Sequence, residues 1–265
     1  KKKISLFCNV STQNVIETVD VKTIYEAPLS FFNQKLDKQV LKYFKLNSKK
    51  KANLTPWKKI TKITLNTKKS VNIAIIGKYV NLKDAYKSLD EALIHGGIFN
   101  KVKVNLIRIE SDKLKVNQIR KKLKNVSGLL IPGGFGKRGT EGKIAAIKYA
   151  RENKIPFLGI CFGMQLAVIE YAQNVINIKN ASSSEFNIKN TENIIGLMTE
   201  WIKDGENIKR TINTDYGGSM RLGSYQCILQ NKSLISKIYN KNIIEERHRH
   251  RYEMNIKYES LFKEN

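Results

Sequence analysis

The pattern of apolar and polar positions changes near residue 70. Before it, residues 4–10 form an apolar run that predicts a strand, and apolar residues at helical spacing predict a helix over 34–46. Residues 47–70 are rich in Lys, Asn and Thr. We interpret this stretch as a linker that docks at one point through Trp57.

From residue 71 onward, apolar strand-like runs alternate with helical patterns. The predicted strands are 71–77, 102–109, 128–132 and 156–160, and the predicted helices lie at 84–95, 116–123, 141–152 and after 161. Asp84 is expected to cap the first of these helices, and Gly96-Gly97 to stop it. Strands and helices alternating at this spacing indicate an α/β fold, a doubly wound and mostly parallel sheet with helices on both faces. Sites in such sheets gather at the carboxyl ends of strands, where Gly133-Gly134 and Cys161 both lie.

Composition removes several classes of function. Hydrophobic residues make up 41% of the 265, which is enough for a buried core, and no apolar run reaches the length of a membrane span. The net charge of +25 comes from lysines spread along the chain, among abundant Asn and Ile. Because no recognition motif accompanies it, we expect no nucleic-acid partner and no membrane, only attraction of anionic small molecules. The three cysteines are far apart and match no zinc spacing, which favours a reducing cytoplasm.

The candidate nucleophile is Cys161, in the run Gly159-Ile160-Cys161-Phe162-Gly163. A strand that turns sharply into a helix holds the residue at the turn in a strained conformation, and flanking glycines let the two elements approach closely. We expect the helix dipole to favour the thiolate of Cys161. The alternative is an ordinary buried cysteine in a strand-to-helix turn.

A nucleophile that attacks an amide needs backbone donors for the developing oxyanion. The loop Pro132-Gly133-Gly134-Phe135-Gly136, at the end of a neighbouring strand, offers such donors, and the amide of Phe162 is the expected second one. By itself the loop is equally compatible with a plain turn.

These two runs together resemble the class I (triad) glutamine amidotransferases. Further runs resemble the CTP synthase family, in the order of that family and over nearly the whole chain. They are 3–10, 20–25, Gly77-Lys78-Tyr79-Val80, 84–88, 95–97, 199–201, 217–223 and 247–253.

The resemblance implies a ligase of pyrimidine biosynthesis. Such an enzyme makes CTP from UTP, ATP and glutamine, with Mg²⁺ for the ATP chemistry, GTP as activator and CTP as inhibitor, in a cytoplasmic homotetramer. Residues 1–48 then resemble the tail of the synthetase domain, 49–70 the linker, and 71–265 a glutamine amidotransferase domain truncated at its C-terminus. No cofactor is expected on these 265 residues, and no metal.

The resemblance also implies residue roles. Cys161 attacks the glutamine amide, and Gly134 and Phe162 supply the oxyanion donors. The substrate-holding residues are Gly134, Phe162, Gly163, Met164, Gln165, Glu185 and Arg251. The nucleotide-binding residues are Lys3, Val19, Asp20 and Val21. Arg221 resembles a lid residue linked to GTP activation. Without the resemblance, Glu185 reads as a solvated loop carboxylate and Arg221 as part of a surface loop.

The sequence departs from the family where a His-Pro-Glu run supplies the acid-base pair, because no such run occurs in these 265 residues. Only His95, His248 and His250 are available to activate the thiol. The arginines that alternate with His248 and His250 oppose the binding of a metal ion there. Segment 247–253 is instead expected to be a strand or turn that positions Arg251. We expect this polypeptide by itself to lack normal glutaminase turnover while keeping an unusually reactive thiol.

Three alternatives stay open from the sequence. The first is an amidotransferase domain that serves another synthetase, and the second is a non-catalytic module that binds glutamine or a partner. The third is a basic nucleic-acid binder. The gene sequence on both sides of these residues separates the first two from the enzyme, and salt-sensitive binding to DNA or RNA identifies the third.

Overall fold

A computed structural model describes residues 1–48, 50, 52–197, 200–203, 206–209 and 220–265. Its contacts form two units, one of residues 1–71 with 86–105 and the other of residues 72–85 with 106–265. The predicted residues Thr199 and 217–219 lie outside the described ranges. Within those ranges, no helix combines the length and apolar character that crossing a bilayer requires.

The first unit is mainly helical. Its helices are α1 (Lys2–Phe7), α2 (Ala27–Asn33), α3 (Leu36–Tyr43), α4 (Thr55–Asn66) and α5 (Lys87–Phe99). The helix predicted over 34–46 is confirmed by α3. The expected linker contains α4, which the polar composition of that stretch did not indicate.

Two predictions in the first unit are wrong. Residues 4–10 do not form a strand, because a short apolar run is compatible with either element and α1 satisfies its backbone groups locally. Helix α5 is not capped by the side chain of Asp84, and it continues through Gly96-Gly97 to Phe99. Gly97 serves packing, since a Cβ atom there would lie 2.6 Å from a methyl carbon of Val104.

The predicted docking of Trp57 is confirmed within the same unit. The ring of Trp57 lies 6.4 Å from the ring of the buried Tyr25, and the ring of His95 lies 5.8 Å from Tyr25. The hydroxyl of Thr61 in α4 donates to the carbonyl of Tyr25. Through this cluster α4 packs on Tyr25, with Thr61 as its buried residue.

A four-stranded sheet in the order β2-β1-β3-β4 carries the site. Its strands are β1 (Ser70–Gly77), β2 (Lys103–Glu110), β3 (Gly128–Ile131) and β4 (Phe157–Gly159). The pairs β1–β3 and β3–β4 are parallel, with Ile131 opposite Gly159. The helices that accompany it are α6 (Ile119–Leu123), α7 (Thr140–Glu152) and α8 (Phe162–Asn174). The predicted α/β fold with a parallel sheet and flanking helices is confirmed.

The core lies between this sheet and helices α7 and α8. Ala74, Ile131, Ala146 and Leu166 are fully buried in one cluster, so both strands and helices contribute to it. Strand β3 is buried along its whole length, which explains why its sequence run is continuous in apolar residues.

The remaining chain adds smaller sheets. The strands are β5 (Ala181–Ser183), β6 (Glu192–Leu197), β7 (Glu200–Lys203), β8 (Glu206–Lys209), β9 (Arg221–Ile228), β10 (Ile243–His250) and β11 (Tyr252–Met254). They form a sheet in the order β11-β6-β5 and the antiparallel pairs β9–β10 and β7–β8. The last two helices are α9 (Leu234–Tyr239) and α10 (Glu259–Glu264). Short 3₁₀ turns lie at Thr12–Asn14, Ile24–Glu26, Lys83–Tyr86, Ser111–Lys113, Val116–Gln118, Ser184–Phe186 and Ile256–Tyr258.

Candidate active site

Cys161 stands at the turn between β4 and α8, as the elbow motif predicts. Its backbone has φ 51° and ψ −105°, a left-handed conformation that a residue with a side chain rarely adopts. The residue is half-buried and directly precedes the first turn of α8. The strained elbow geometry is therefore confirmed, while the catalytic role of Cys161 stays a prediction.

The flanking glycines permit this turn. A Cβ atom on Gly159 would lie 2.6 Å from the backbone of Gly163, and one on Gly163 would overlap the carbonyl oxygen of Ile131. The strand, the turn and the helix approach so closely that only glycine fits at either position. The spacing Gly-x-Cys-x-Gly thus reports a packing requirement of this fold.

The loop 132–136 lies beside the elbow because β3 and β4 are neighbours in the sheet. A Cβ atom on Gly133 would lie 3.6 Å from the Cβ of Cys161, and one on Gly134 would lie 3.8 Å from the ring of Phe162. In the described part of the chain, the amide of Gly134 makes no backbone hydrogen bond. Gly134 therefore lies beside the side chain of Phe162, and the role of both amides as oxyanion donors stays a prediction.

Glu185 reaches this loop from the turn that follows β5. Its Oε1 accepts a hydrogen bond of 2.8 Å from the amide of Gly136, and its charge acts on the thiol of Cys161. Glu185 is half-buried, which excludes the simple reading as a solvated loop carboxylate. A carboxylate here is suited to a substrate ammonium group.

Segment 249–252 lies along the other side of the elbow. The carbonyl oxygen of Arg249 is 3.7 Å from Sγ of Cys161, and the side chain of the buried Gln165 donates to the carbonyl of Tyr252 over 2.7 Å. Strand β10 ends just before Arg251 and β11 begins just after it, as the strand-or-turn prediction expected. The Nε of Arg251 is buried and has no hydrogen-bond partner among the residues that the structure describes. It is a donor placed to meet a carboxylate.

Gln165 differs from its predicted role in one respect. Its amide nitrogen holds segment 249–252 against α8, so in this structure it positions the chain that carries Arg251. Met164 is exposed and Gly163 contributes packing. Their contact with substrate stays a prediction.

The charge state of Cys161 departs from the expectation of a favoured thiolate. Burial raises the pKa of the Cys161 thiol, the amide of Phe162 lowers this pKa, and the carboxylate of Glu185 raises it further. Desolvation outweighs the single amide donor, because removing a charge from water costs more than one hydrogen bond returns. Because of this raised pKa, the thiol needs a base to form the thiolate. The unusual reactivity expected of the Cys161 thiol stays a prediction.

The histidines of β10 form hydrogen bonds with each other and with the backbone, and not with Cys161, among the described residues. Nδ1 of His248 and Nε2 of His250 are 3.0 Å apart, and Nδ1 of His250 is 3.2 Å from the carbonyl of Tyr252. Burial and the nearby Arg221 lower the pKa of both imidazoles. In the ranges described above, no histidine forms a hydrogen bond with Cys161, and no group of three potential metal ligands lies together.

Two lysines near the elbow were missed as site residues. The Nζ of Lys78 contacts carbonyl oxygens of the loop at Phe135 and Gly136, and the Nζ of Lys143 lies 5.1 Å from the ring centroid of Phe162. Lys143 is only 1% exposed, and burial lowers its pKa to about 8. Lys78 directly follows β1 at the carboxyl edge of the sheet, and that position was the available signal.

The remaining predicted residues are Arg221 in the second unit and four residues of the first unit. Arg221 begins β9; its guanidinium lies 4.5 Å from the ring centroid of Tyr225 and 4.0 Å from the carboxylate of Glu253. In the first unit, Lys3 is an exposed residue of α1, and Val19, Asp20 and Val21 lie in a stretch without helix or strand. Their nucleotide contacts stay predictions.

Known proteins are similar to this chain over nearly its whole length. A sequence model described as glutamine amidotransferase class-I matches residues 81–264, and one described as the CTP synthase N-terminus matches residues 1–46. The chain is 71% identical over 262 residues to the CTP synthase of Pelagibacter ubique, covering 99% of this chain and 48% of that protein. It is 50% identical over 260 residues to the CTP synthase of Zymomonas mobilis, covering 97% and 48%. The chain thus spans about half the length of the curated relatives it matches.

A solved structure is similar as well. The glutaminase domain of CTPS from Trypanosoma brucei, with acivicin bound, superposes with a TM-score of 0.63 at 36% identity, covering 74% of this chain and 72% of that one.

Proposed function

This chain belongs to the class I glutamine amidotransferases, among the CTP synthases, and from that premise we propose that Cys161 is the nucleophile that hydrolyses glutamine. The observation that carries the proposal is the strained backbone of Cys161 between β4 and α8, with the loop 132–136 alongside. The non-catalytic binding module is kept as an outcome of the test below.

The reaction begins when Sγ of Cys161 attacks the side-chain amide carbon of glutamine. The carbonyl oxygen becomes an oxyanion that accepts hydrogen bonds from the amides of Phe162 and Gly134. The carbon–nitrogen bond then breaks, ammonia leaves after protonation, and a thioester remains. Water hydrolyses the thioester to glutamate and regenerates the thiol.

Substrate polarity supports the roles of two further residues. The ammonium group of glutamine meets the carboxylate of Glu185, and its carboxylate meets the unpartnered Nε of Arg251. Because the pKa of the Cys161 thiol is raised, its attack on glutamine also requires a base. The two histidines of β10, His248 and His250, are instead hydrogen-bonded to each other. A His-Pro-Glu run, as the family uses, would supply that base.

The complete protein is proposed to use this ammonia for the ATP-dependent amination of UTP to CTP. GTP is proposed as its activator and CTP as its inhibitor. The proposed assembly is a homotetramer in the cytoplasm. Residues 1–48 are assigned to the tail of the synthetase domain, 49–70 to the linker and 71–265 to the amidotransferase domain. Mg²⁺ is proposed to serve the ATP chemistry of the complete protein. Transfer of ¹⁵N from glutamine into CTP by the protein of the complete gene, lost in Cys161→Ala, tests the coupling.

The test of the nucleophile uses two electrophiles of different kind. The chloromethyl ketone analogue of glutamine is expected to label Cys161 about tenfold faster than Cys8 or Cys227, because only the elbow offers binding and oxyanion donors. Iodoacetamide, which forms no oxyanion, is expected to prefer the exposed Cys8 and Cys227. Mass spectrometry of the 265-residue chain measures both, with Cys161→Ser as the control.

Glutamine is expected to protect Cys161 from the ketone, and so is acivicin, which the Trypanosoma brucei relative binds. Equal labelling of the three cysteines by the ketone contradicts the proposal. Binding of glutamine without preferential labelling of Cys161 favours the non-catalytic module.

A further inference from the structure

Lys78 lies at the same edge of the sheet as the loop 132–136. It directly follows β1, which pairs in parallel with β3, and the loop directly follows β3. The half-buried side chain of Lys78 turns toward this loop, and its Nζ donates to the carbonyl of Phe135 and, over 3.4 Å, to the carbonyl of Gly136. Both the position of Lys78 at the end of β1 and the direction of its side chain thus place its ammonium group at the loop.

The peptide unit between Phe135 and Gly136 is held at both of its edges. Its carbonyl oxygen accepts from Lys78, and its N–H donates to Glu185 over 2.8 Å. Gly136 has φ +76°, a conformation that favours glycine, so the chain reverses sharply here. A peptide plane fixed through both its oxygen and its N–H cannot rotate, and its orientation limits that of the preceding peptides.

The amide of Gly134 is the group that this restraint affects. It lies in the same short loop, beside the ring of Phe162, and makes no backbone hydrogen bond among the described residues. An oxyanion donor is effective only if it points at the developing charge before the reaction, because reorienting it later costs free energy. A free amide in a glycine-rich loop therefore needs an outside restraint.

The surrounding charges agree with this role. Arg138 pairs with Asp112 over 2.7 Å, whereas no carboxylate forms an ion pair with Lys78 within the described ranges. The ammonium group of Lys78 is thus committed to the loop carbonyls.

We propose that Lys78 is a positioning residue of the oxyanion hole, whose ammonium group locks the Phe135–Gly136 peptide so that the amide of Gly134 faces the reacting carbonyl oxygen. This inference rests on the proposed glutaminase function. Lys78 touches no reacting atom in it and acts through the loop.

The test compares two labelling reactions at the same sulfur. With the chloromethyl ketone analogue of glutamine, Sγ of Cys161 adds to the ketone to give an oxyanion. The sulfur then bonds to the methylene carbon, chloride leaves with the bonding electron pair, the ketone re-forms, and the thiol proton passes to the buffer. With iodoacetamide, the sulfur displaces iodide directly and no oxyanion forms. The ratio of the two rates therefore reports the oxyanion hole separately from the thiol.

In the 265-residue chain, Lys78→Met is expected to lower the ketone rate at Cys161 about tenfold, less than the loss of a direct donor, and to change the iodoacetamide rate less than about twofold. Lys78→Arg keeps donors for the loop carbonyls and is expected to restore most of the ratio. Lys137→Met, which removes an exposed charge one residue beyond the loop, is the matched control and is expected to leave the ratio unchanged.

Three results would overturn the inference. They are an unchanged ratio in Lys78→Met, an equal loss with Lys137→Met, and a ratio in Lys78→Arg as low as in Lys78→Met. If Lys78→Met does not fold, as circular dichroism would reveal, the Arg variant and Lys78→Gln decide by the same ratio. Failure of the proposed function itself appears differently, as absence of preferential ketone labelling of Cys161 in the unmodified chain.

Discussion

The first unit and the elbow segment, defined here as residues 128–174, contain apolar runs that look alike in the sequence. In the first unit, Leu6 and Phe7 remain 79% and 78% exposed on α1, whereas in the elbow segment Leu130 is 2% exposed and Ile131 is fully buried. The elbow run became the predicted strand, and the run at 4–10 became a helix. An apolar run therefore determines its own secondary structure only where neighbouring strands and helices bury it.

The largest contrast is expected from removing one apolar side chain in each region. Ile131→Ala is expected to lower the free energy of unfolding of the second unit by about 4 kcal/mol, because it removes buried methyl groups and leaves a cavity. Leu6→Ala is expected to change stability by less than about 0.5 kcal/mol. Urea denaturation measures both, with accessibility of Cys161 to a thiol reagent reporting the second unit. Similar losses of unfolding free energy in the two variants would contradict the expected difference between the two regions.

The two regions are also expected to differ in how well a glycine tolerates replacement by alanine. Gly163→Ala is expected to cost about 3 kcal/mol, because the new Cβ meets the carbonyl of Ile131 and the elbow must shift. Gly96→Ala, in α5, meets nothing within 4 Å and is expected to stabilise the first unit by up to about 1 kcal/mol. In a Trp201→Phe background, the fluorescence of Trp57 during urea unfolding follows the first unit. A neutral Gly163→Ala would show that close approach does not require glycine there.

A smaller effect, which depends on pH, is expected from the buried Lys143. Its pKa is lowered from 10.5 to about 8 by burial, so between these values the unfolded chain binds a proton that the folded chain has lost. Stability from this group therefore rises as pH increases through that window, and the cost of the buried charge is largest below pH 8. Lys143→Met is expected to be more stable than the unmodified chain near neutral pH, and this advantage shrinks by about 2 kcal/mol at about pH 10.

Lys38→Met provides the control for that measurement, since Lys38 is exposed on α3 and its replacement is expected to give no such pH dependence. Urea denaturation at the two pH values checks both variants. An advantage of Lys143→Met that is constant with pH would mean that the buried amine does not titrate in this range.

Sequence reasoning was most accurate in the elbow segment. The strand ending at Ile131, the helix starting after Cys161 and the glycine spacing around the cysteine were predicted, because each depends on neighbours within a few residues. The position of Arg251 beside the elbow was inferred only through resemblance to a family. No spacing relates it to Cys161, since 90 residues separate them.

Two errors have the same physical origin. The helix dipole argument for Cys161 used only the adjacent α8 and left out burial and Glu185, which together raise the thiol pKa. The contact of Lys78 with the loop was missed because its partners, Phe135 and Gly136, follow a different strand. In both cases, the deciding groups come from elements that are distant in the sequence.

The sequence by itself determined the α/β class, the elbow around Cys161, the adjacent glycine loop and the family. These depend on local periodicity and on glycines, whose freedom of backbone conformation is a local property. Only the tertiary structure decided that residues 2–7 become helical and that Glu185 and Lys78 hold one peptide of the loop from two sides. It also decided that burial and Glu185 raise the pKa of the Cys161 thiol. Burial and charge at a site are sums over neighbours in space, and the parallel crossovers of this fold bring those neighbours from far along the chain.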